Sequence, residues 1–168
     1  ERFSNMLNER TINLLEFDKV KESVGALSAS ERARKQITES APSFDVYEIE
    51  RNLALTREAD MMLNKFALNP VVAFDDVDDV LEKSKKDSVL SMGELLKVGR
   101  LLRSARIAQS TVASAPEEIV LLKSVTENIV LDRSLEKNIF DCILSDNEMS
   151  DNASDKLFDL RRKILNLN

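Results

Sequence analysis

The chain has no histidine, no tryptophan, one cysteine, one tyrosine, three glycines and three prolines. Without histidine there is no imidazole base, no Ser-His-Asp arrangement and no ordinary zinc site. Cys142 alone makes neither an internal disulfide nor a thiolate cluster. Gly25, Gly93 and Gly99 are scattered, so no glycine-rich loop is available to cradle a phosphate. One tyrosine and no tryptophan leave few platforms on which bases could stack. No apolar run is long enough to cross a bilayer. The unpaired cysteine fits a reducing compartment, so a cytoplasmic location is expected.

What remains is a chain of 168 residues in which 32% are charged. Scarce glycine and proline leave little turn chemistry, so long helices with short joints are expected rather than a sheet. The expected fold is all-α, as a single helical domain over residues 1–168. The net charge is −6, which turns the chain as a whole away from nucleic acid and anionic membranes. Binding of that kind would need a local basic face.

Residues 8–27 place Leu14, Phe17, Val20, Val24 and Leu27 at helical spacing, with the helix ending near Gly25. Ser28 and Glu31 are spaced as a capping box for a helix that must stop before Pro42. Asp45 and Glu48 repeat the device, and Ile49, Leu53, Ala59, Leu63 and Phe66 mark one side of a long helix reaching about Ala67. Asn69-Pro70 breaks it, and residues 70–74 read as a short extended piece. Asp75, Asp76, Asp78 and Asp79 invite a metal reading. The calcium-loop pattern lacks its central glycine and final glutamate, so an acidic first turn facing the helix dipole is the better account.

Ser91 and Glu94 form a third capping box. In the helix that follows, Leu95, Val98, Leu102, Ala105 and Val112 share a face. Lys97, Arg100, Arg103 and Arg106 fan over the opposite arc, either as a phosphate-contacting ridge or as a solvated face. Pro116 is placed for the first turn of another helix with Ile119, Leu122 and Val125 inward. Asp132 or Ser134 opens the next, which carries Leu135, Ile139, Cys142 and Ile143. Cys142 reads as a small buried apolar residue rather than a reactive thiol. Asp141, Asp146 and Glu148 straddle a helix end and loop, and their spacing is too unspecific to assign a metal. No residue is assigned a catalytic or metal-binding role.

The final stretch, residues 145–168, carries the clearest pattern. Ala153, Leu157, Leu160, Ile164 and Leu167 recur at four, three, four and three, the heptad stripe of a helix that packs along another. Asn152 is placed as its N-cap. No glycine, proline or cap stops it before the last residue, so the spacing predicts a helix cut while still running, in a piece of something longer. Its basic group is Arg161, Arg162 and Lys163.

Three of these segments together resemble the bacterial MutS-two family, the MutS-like proteins without a mismatch-reading domain. Leu15-Glu16-Phe17-Asp18-Lys19-Val20 is similar to that family's opening Leu-Glu-Phe-Asp-Lys-Ile. Val89-Leu90-Ser91-Met92-Gly93-Glu94-Leu95 resembles its Gly-Val-Leu-Ser-x-x-Glu-Leu block, and Arg100-Leu101-Leu102-Arg103-Ser104-Ala105-Arg106 resembles the continuation. The stretch from Asp151 to Arg162 resembles Asp-x-Ala-Ser-x-x-Leu-x-x-Ile-Arg-Arg. The chain departs where the family favours Gly-Gly and it has Asp87-Ser88. It departs again where the family favours Asp-x-x-Gly and it has Asp146-Asn147-Glu148.

The resemblance implies a packed N-terminal helical core of the MutS core and lever type, its last helix projecting as the start of a coiled-coil lever. The implied role is structural: the full-length protein would use ATP-driven clamp motion to bind branched DNA or stalled ribosomes, suppressing recombination or rescuing ribosomes. ATP, magnesium, ATPase and endonuclease chemistry would belong to downstream domains, as would homodimerisation. This segment would hold no cofactor and take no small-molecule substrate. The alternative is a helical module that itself contacts DNA, ribosomal RNA or a protein. For that reading the contact residues are Lys97, Arg100, Arg103, Arg161, Arg162 and Lys163. For the lever the packing residues are Ala153, Leu157, Leu160, Ile164 and Leu167.

Overall fold

A computed structural model describes residues 14–165. Leu167, and the part of the first expected helix before Leu14, lie outside the described residues. The described residues are all-α apart from one small hairpin. The helices are α1 (Phe17–Gly25), α2 (Glu31–Thr38), α3 (Val46–Asp60), α4 (Asp78–Lys85), α5 (Met92–Ala113), α6 (Leu121–Glu127), α7 (Arg133–Cys142) and α8 (Asp155–Leu165). A π-helical turn, Met61–Lys65, continues α3, and a 3-10 turn, Asp151–Ala153, precedes α8. Strands β1 (Ile143–Ser145) and β2 (Glu148–Met149) pair antiparallel.

The described residues fall into two compact units, one within Glu1–Ala73 and Ile107–Ile129, the other within Phe74–Arg106 and Val130–Asn168. In the first, Met62, Val112, Ala115 and Ile119 form the core, with Met61, Phe66, Leu68 and Leu122 against it. Met62 and Ile119 are fully buried, each worth about 1.5–3 kcal/mol of apolar burial. In the second, Leu96, Ile139 and Ile143 form the core, flanked by Met92, Leu95, Val98, Phe140 and Cys142.

Of the expected α5 face, Val112 is buried in the first core and Leu95 and Val98 pack against the second, with Leu102 and Ala105 half-buried; Leu96 and Gly99, outside that face, are buried as well. A β-carbon on Gly99 would lie 3.0 Å from Ile139 Cγ2 and 3.1 Å from the Phe140 ring. The missing side chain is what lets α5 and α7 approach so closely at this point.

Several helix starts move from their expected places. At α2 the cap is Ser30, whose Oγ accepts the Ala33 N–H at 3.2 Å, rather than Ser28. At α8 it is Ser154, accepting the Leu157 N–H at 3.2 Å, rather than Asn152, because residues 151–153 are already wound as a 3-10 turn. Pro116 does not open a helix: Ile119 donates to the Pro116 carbonyl in a turn, and α6 begins only at Leu121. Residues 70–74 form no strand, while β1 and β2 occupy the stretch read as helix end and loop. Cys142 is half-buried. The caps at Asp45 and Ser91 stand where the spacing placed them, and of Asp132 and Ser134 it is Asp132 that caps α7.

Helix α6 is seven residues long, too short to persist alone. Both its ends are held by side chains from elsewhere in its unit. The Glu58 carboxylate of α3 accepts the N–H groups of Val120, Leu121 and Leu122 at 3.1, 3.0 and 2.8 Å. Gln109 Nε2 of α5 donates to the Thr126 and Ile129 carbonyls at 3.0 and 3.2 Å.

Candidate nucleic-acid interface

The basic residues of α5 are set by its capped start. Ser91 N–H donates to Glu94 at 2.8 Å, and Glu94 N–H donates back to Ser91 Oγ at 3.3 Å. Lys83 of α4 adds an ion pair, and the hydrogen bond from its ammonium, with those from Ser91, lowers the Glu94 carboxyl to about 2. From this anchored turn Lys97, Arg100, Arg103 and Arg106 follow at three-residue steps, which wind them slowly around the helix.

Two of them meet α7. Glu136 is buried, its side chain 9% exposed. Arg106 grips it with two parallel bonds, Nε to Oε2 and Nη2 to Oε1, both 2.8 Å. Arg103 Nε lies 3.5 Å from the same carboxylate. The Arg106 hydrogen bonds outweigh burial and hold Glu136 below its ordinary carboxyl range. The Arg103 guanidinium also lies over the Phe140 ring, 3.7 Å from its centroid, a cation–π contact. These residues, with Arg133 and Lys137 of α7, line a cleft of about 280 Å³. A second hollow of about 390 Å³ beside Phe140 is edged by Arg100 and the hairpin turn residues Asp146 and Asn147.

The six expected contact residues therefore separate. Arg100 Nη1 pairs with Asp75 at 3.1 Å, and Arg103 is drawn to Glu136 and Phe140. Arg161 is tied to the root of its own helix, donating to the Met149 carbonyl at 3.1 Å and pairing with Asp151. Lys97, Arg162 and Lys163 are exposed and pair with no acid among the described residues. Arg103 joins Arg106, Arg133 and Lys137, whereas Lys97 does not line that cleft. Arg133, Glu136, Lys137 and Phe140 were missed as site residues. Their spacing of three to four along α7 is the one-face signature that could have marked them.

Asp75, Asp76, Asp78 and Asp79 do not converge. Asp75 pairs with Arg100, Asp76 Oδ1 accepts the Asp78 N–H at 2.9 Å, and Asp78 and Asp79 sit in the first turn of α4. No cluster of three potential metal ligands exists among the described residues. No helix among them is long and apolar enough to cross a membrane.

The expected packing stripe is covered at its start and open further along α8. Ala153, just before the helix, and Leu157 are half-buried, whereas Leu160 is 48% and Ile164 60% exposed.

No family model matches the chain. Individual proteins do. It is 30% identical over 164 residues to the Endonuclease MutS2 of Clostridium acetobutylicum, a match covering 96% of this chain and 21% of that protein. It is 34% identical to the Endonuclease MutS2 of Clostridium tetani over the same shares. The Clostridium botulinum protein of that name is 34% identical over 94% of this chain and 20% of its own. The chain thus spans about a fifth of the length of these relatives.

Proposed function

Because this chain is homologous to a region of the Endonuclease MutS2 proteins, we propose that it is the structural part of such a protein, with α8 as the root of a lever. The observation that carries this reading is the contrast along α8. Its first half is fastened: Ser154 caps the first turn, and Arg161 in the second binds back to Met149 and Asp151. Its apolar stripe at Leu160 and Ile164 is open. A helix fixed at its root and apolar along one side is made to lie against a further helix, and helices packed on a heptad stripe are stiff. Stiffness is what a lever needs.

In this reading the full-length protein binds ATP in other domains, works as a homodimer in the cytoplasm, and closes a clamp on branched DNA or a stalled ribosome. The cleavage that the relatives' name records is then performed outside these residues, which bind no cofactor of their own. The test is the full-length protein with Leu160→Gln and Ile164→Gln, both exposed in this chain. ATP-dependent binding to branched DNA or ribosomes should fall about tenfold or more, while ATP hydrolysis without either target persists. Unchanged ATP-dependent binding would remove the lever reading.

A further inference from the structure

The cleft between α5 and α7 has a property the lever reading does not use. Four cations, Arg103, Arg106, Arg133 and Lys137, line it against two carboxylates, Glu136 and Asp141, in a chain whose overall charge is −6. The carboxylates do not cancel the cations evenly. Glu136 is consumed by the paired bonds of Arg106. Asp141 stands 3.9 Å from Lys137 with both side chains well exposed, a separation that contributes little. Arg133, in the first turn of the ten-residue α7, pairs with no acid among the described residues, while the end of that helix is already capped by the Asp132 carboxylate.

Arg103 is the centre of the arrangement. Its guanidinium carbon lies 3.7 Å from the centre of the Phe140 ring and its Nε 3.5 Å from Glu136, while its side chain stays 48% exposed. The terminal Nη donors have no acceptor among the described residues. A guanidinium fixed on two sides, with its outer fork free, presents paired donors without the entropy cost of ordering a loose side chain. A carboxylate ligand would satisfy one fork. A tetrahedral phosphate has enough acceptor oxygens to take Arg103, Arg133 and Lys137 together.

We propose that this α5–α7 cleft is a binding site for a phosphate ester, held by the Arg103 fork with Arg133 and Lys137, and seated by Phe140 and Glu136. The site stands independently of the lever. It also relocates phosphate binding from the outer ridge of α5 to the cleft it shares with α7. The ester can come from a nucleic-acid strand or from a free nucleotide.

The test measures fluorescence anisotropy of a labelled oligoadenylate with the 168-residue chain at low and moderate salt. The chain should bind, and Arg133→Glu with Lys137→Glu should weaken binding about tenfold or more and lower the salt slope by about 1.4, about 0.7 for each cation removed from the phosphates of a single strand. Lys85→Glu with Lys86→Glu, the same change of charge away from the cleft, should stay within about twofold of the parent. Thermal melting of both variants checks that each remains folded. Displacement of the oligomer by AMP at comparable concentration identifies a free nucleotide as the source, and displacement only by further strand identifies nucleic acid. No binding by the parent chain, or an equal loss in both charge variants, would overturn the site.

Discussion

Replacing Glu58 by alanine tests whether α6 is held by tertiary contact rather than by its own sequence. No side chain near the start of α6 caps it. The three N–H groups at its start depend on one carboxylate 62 to 64 residues earlier in the chain. Loss of an ordinary N-cap costs about 0.5–2 kcal/mol, and a hydrogen bond to a charged group about 1.5–3 kcal/mol when well buried. Glu58 is only half-buried, so the three bonds are screened and do not add in full. Glu58→Ala should therefore lower stability by about 2 kcal/mol, and Glu58→Gln, which keeps an acceptor but not the charge, by about 1 kcal/mol.

Urea unfolding of the chain gives both values. Amide hydrogen exchange adds a local readout, with the Leu121 and Leu122 amides deprotected first. Burial works against the Glu58 charge, but the Leu121, Leu122 and Val120 N–H bonds outweigh it and set the carboxyl below its ordinary 4.5. A carboxyl lowered on folding stabilises fully above its unfolded value and loses that contribution as pH falls through the folded value. The gap between parent and Glu58→Ala should thus be constant near neutrality and narrow below about pH 4.5. Equal stability of the alanine and parent chains, or a gap that ignores pH across that window, would refute the account.

Two further predictions concern backbone geometry. Gly99→Ala should destabilise by roughly 1–2 kcal/mol in urea unfolding, because the new carbon meets Ile139 and the Phe140 ring at 3.0–3.1 Å and overpacking outweighs the gain in helix propensity. Ala67, φ 53°, and Asp87, φ 54°, lie in the left-handed region beyond the π turn and α4. Ala67→Gly should stabilise by about 1 kcal/mol in the same assay and Asp87→Gly by less, since aspartate tolerates that region better than alanine.

The departures in the family-like motifs acquire meaning at these positions. Asp87 stands where the family favours glycine. It closes α4 in a Schellman arrangement: Asp87 N–H donates to Ser84 O at 3.1 Å and Ser88 N–H to Lys83 O at 3.2 Å. The chain keeps the turn with a residue that fits it less well. At the other departure Asp146 and Asn147 form the two-residue turn of the hairpin, and neither needs a positive φ.

Helix periodicity and local caps depend on residues three or four apart, so the sequence by itself determined the all-α class, the caps at Asp45 and Ser91, and the apolar stripe of α8, and narrowed the start of α7 to Asp132 or Ser134. It also carried the resemblance to the family of its relatives. What it could not determine arises between residues far apart in the chain. Only the tertiary structure brought Glu58 to the start of α6, set α7 close against Gly99 of α5, and placed Arg103, Glu136 and Phe140 in one cleft. The physical reason is the same in each case. A side chain's partner across a helix pair is set by packing distance and axial rotation, and neither quantity is encoded in the local spacing of either helix.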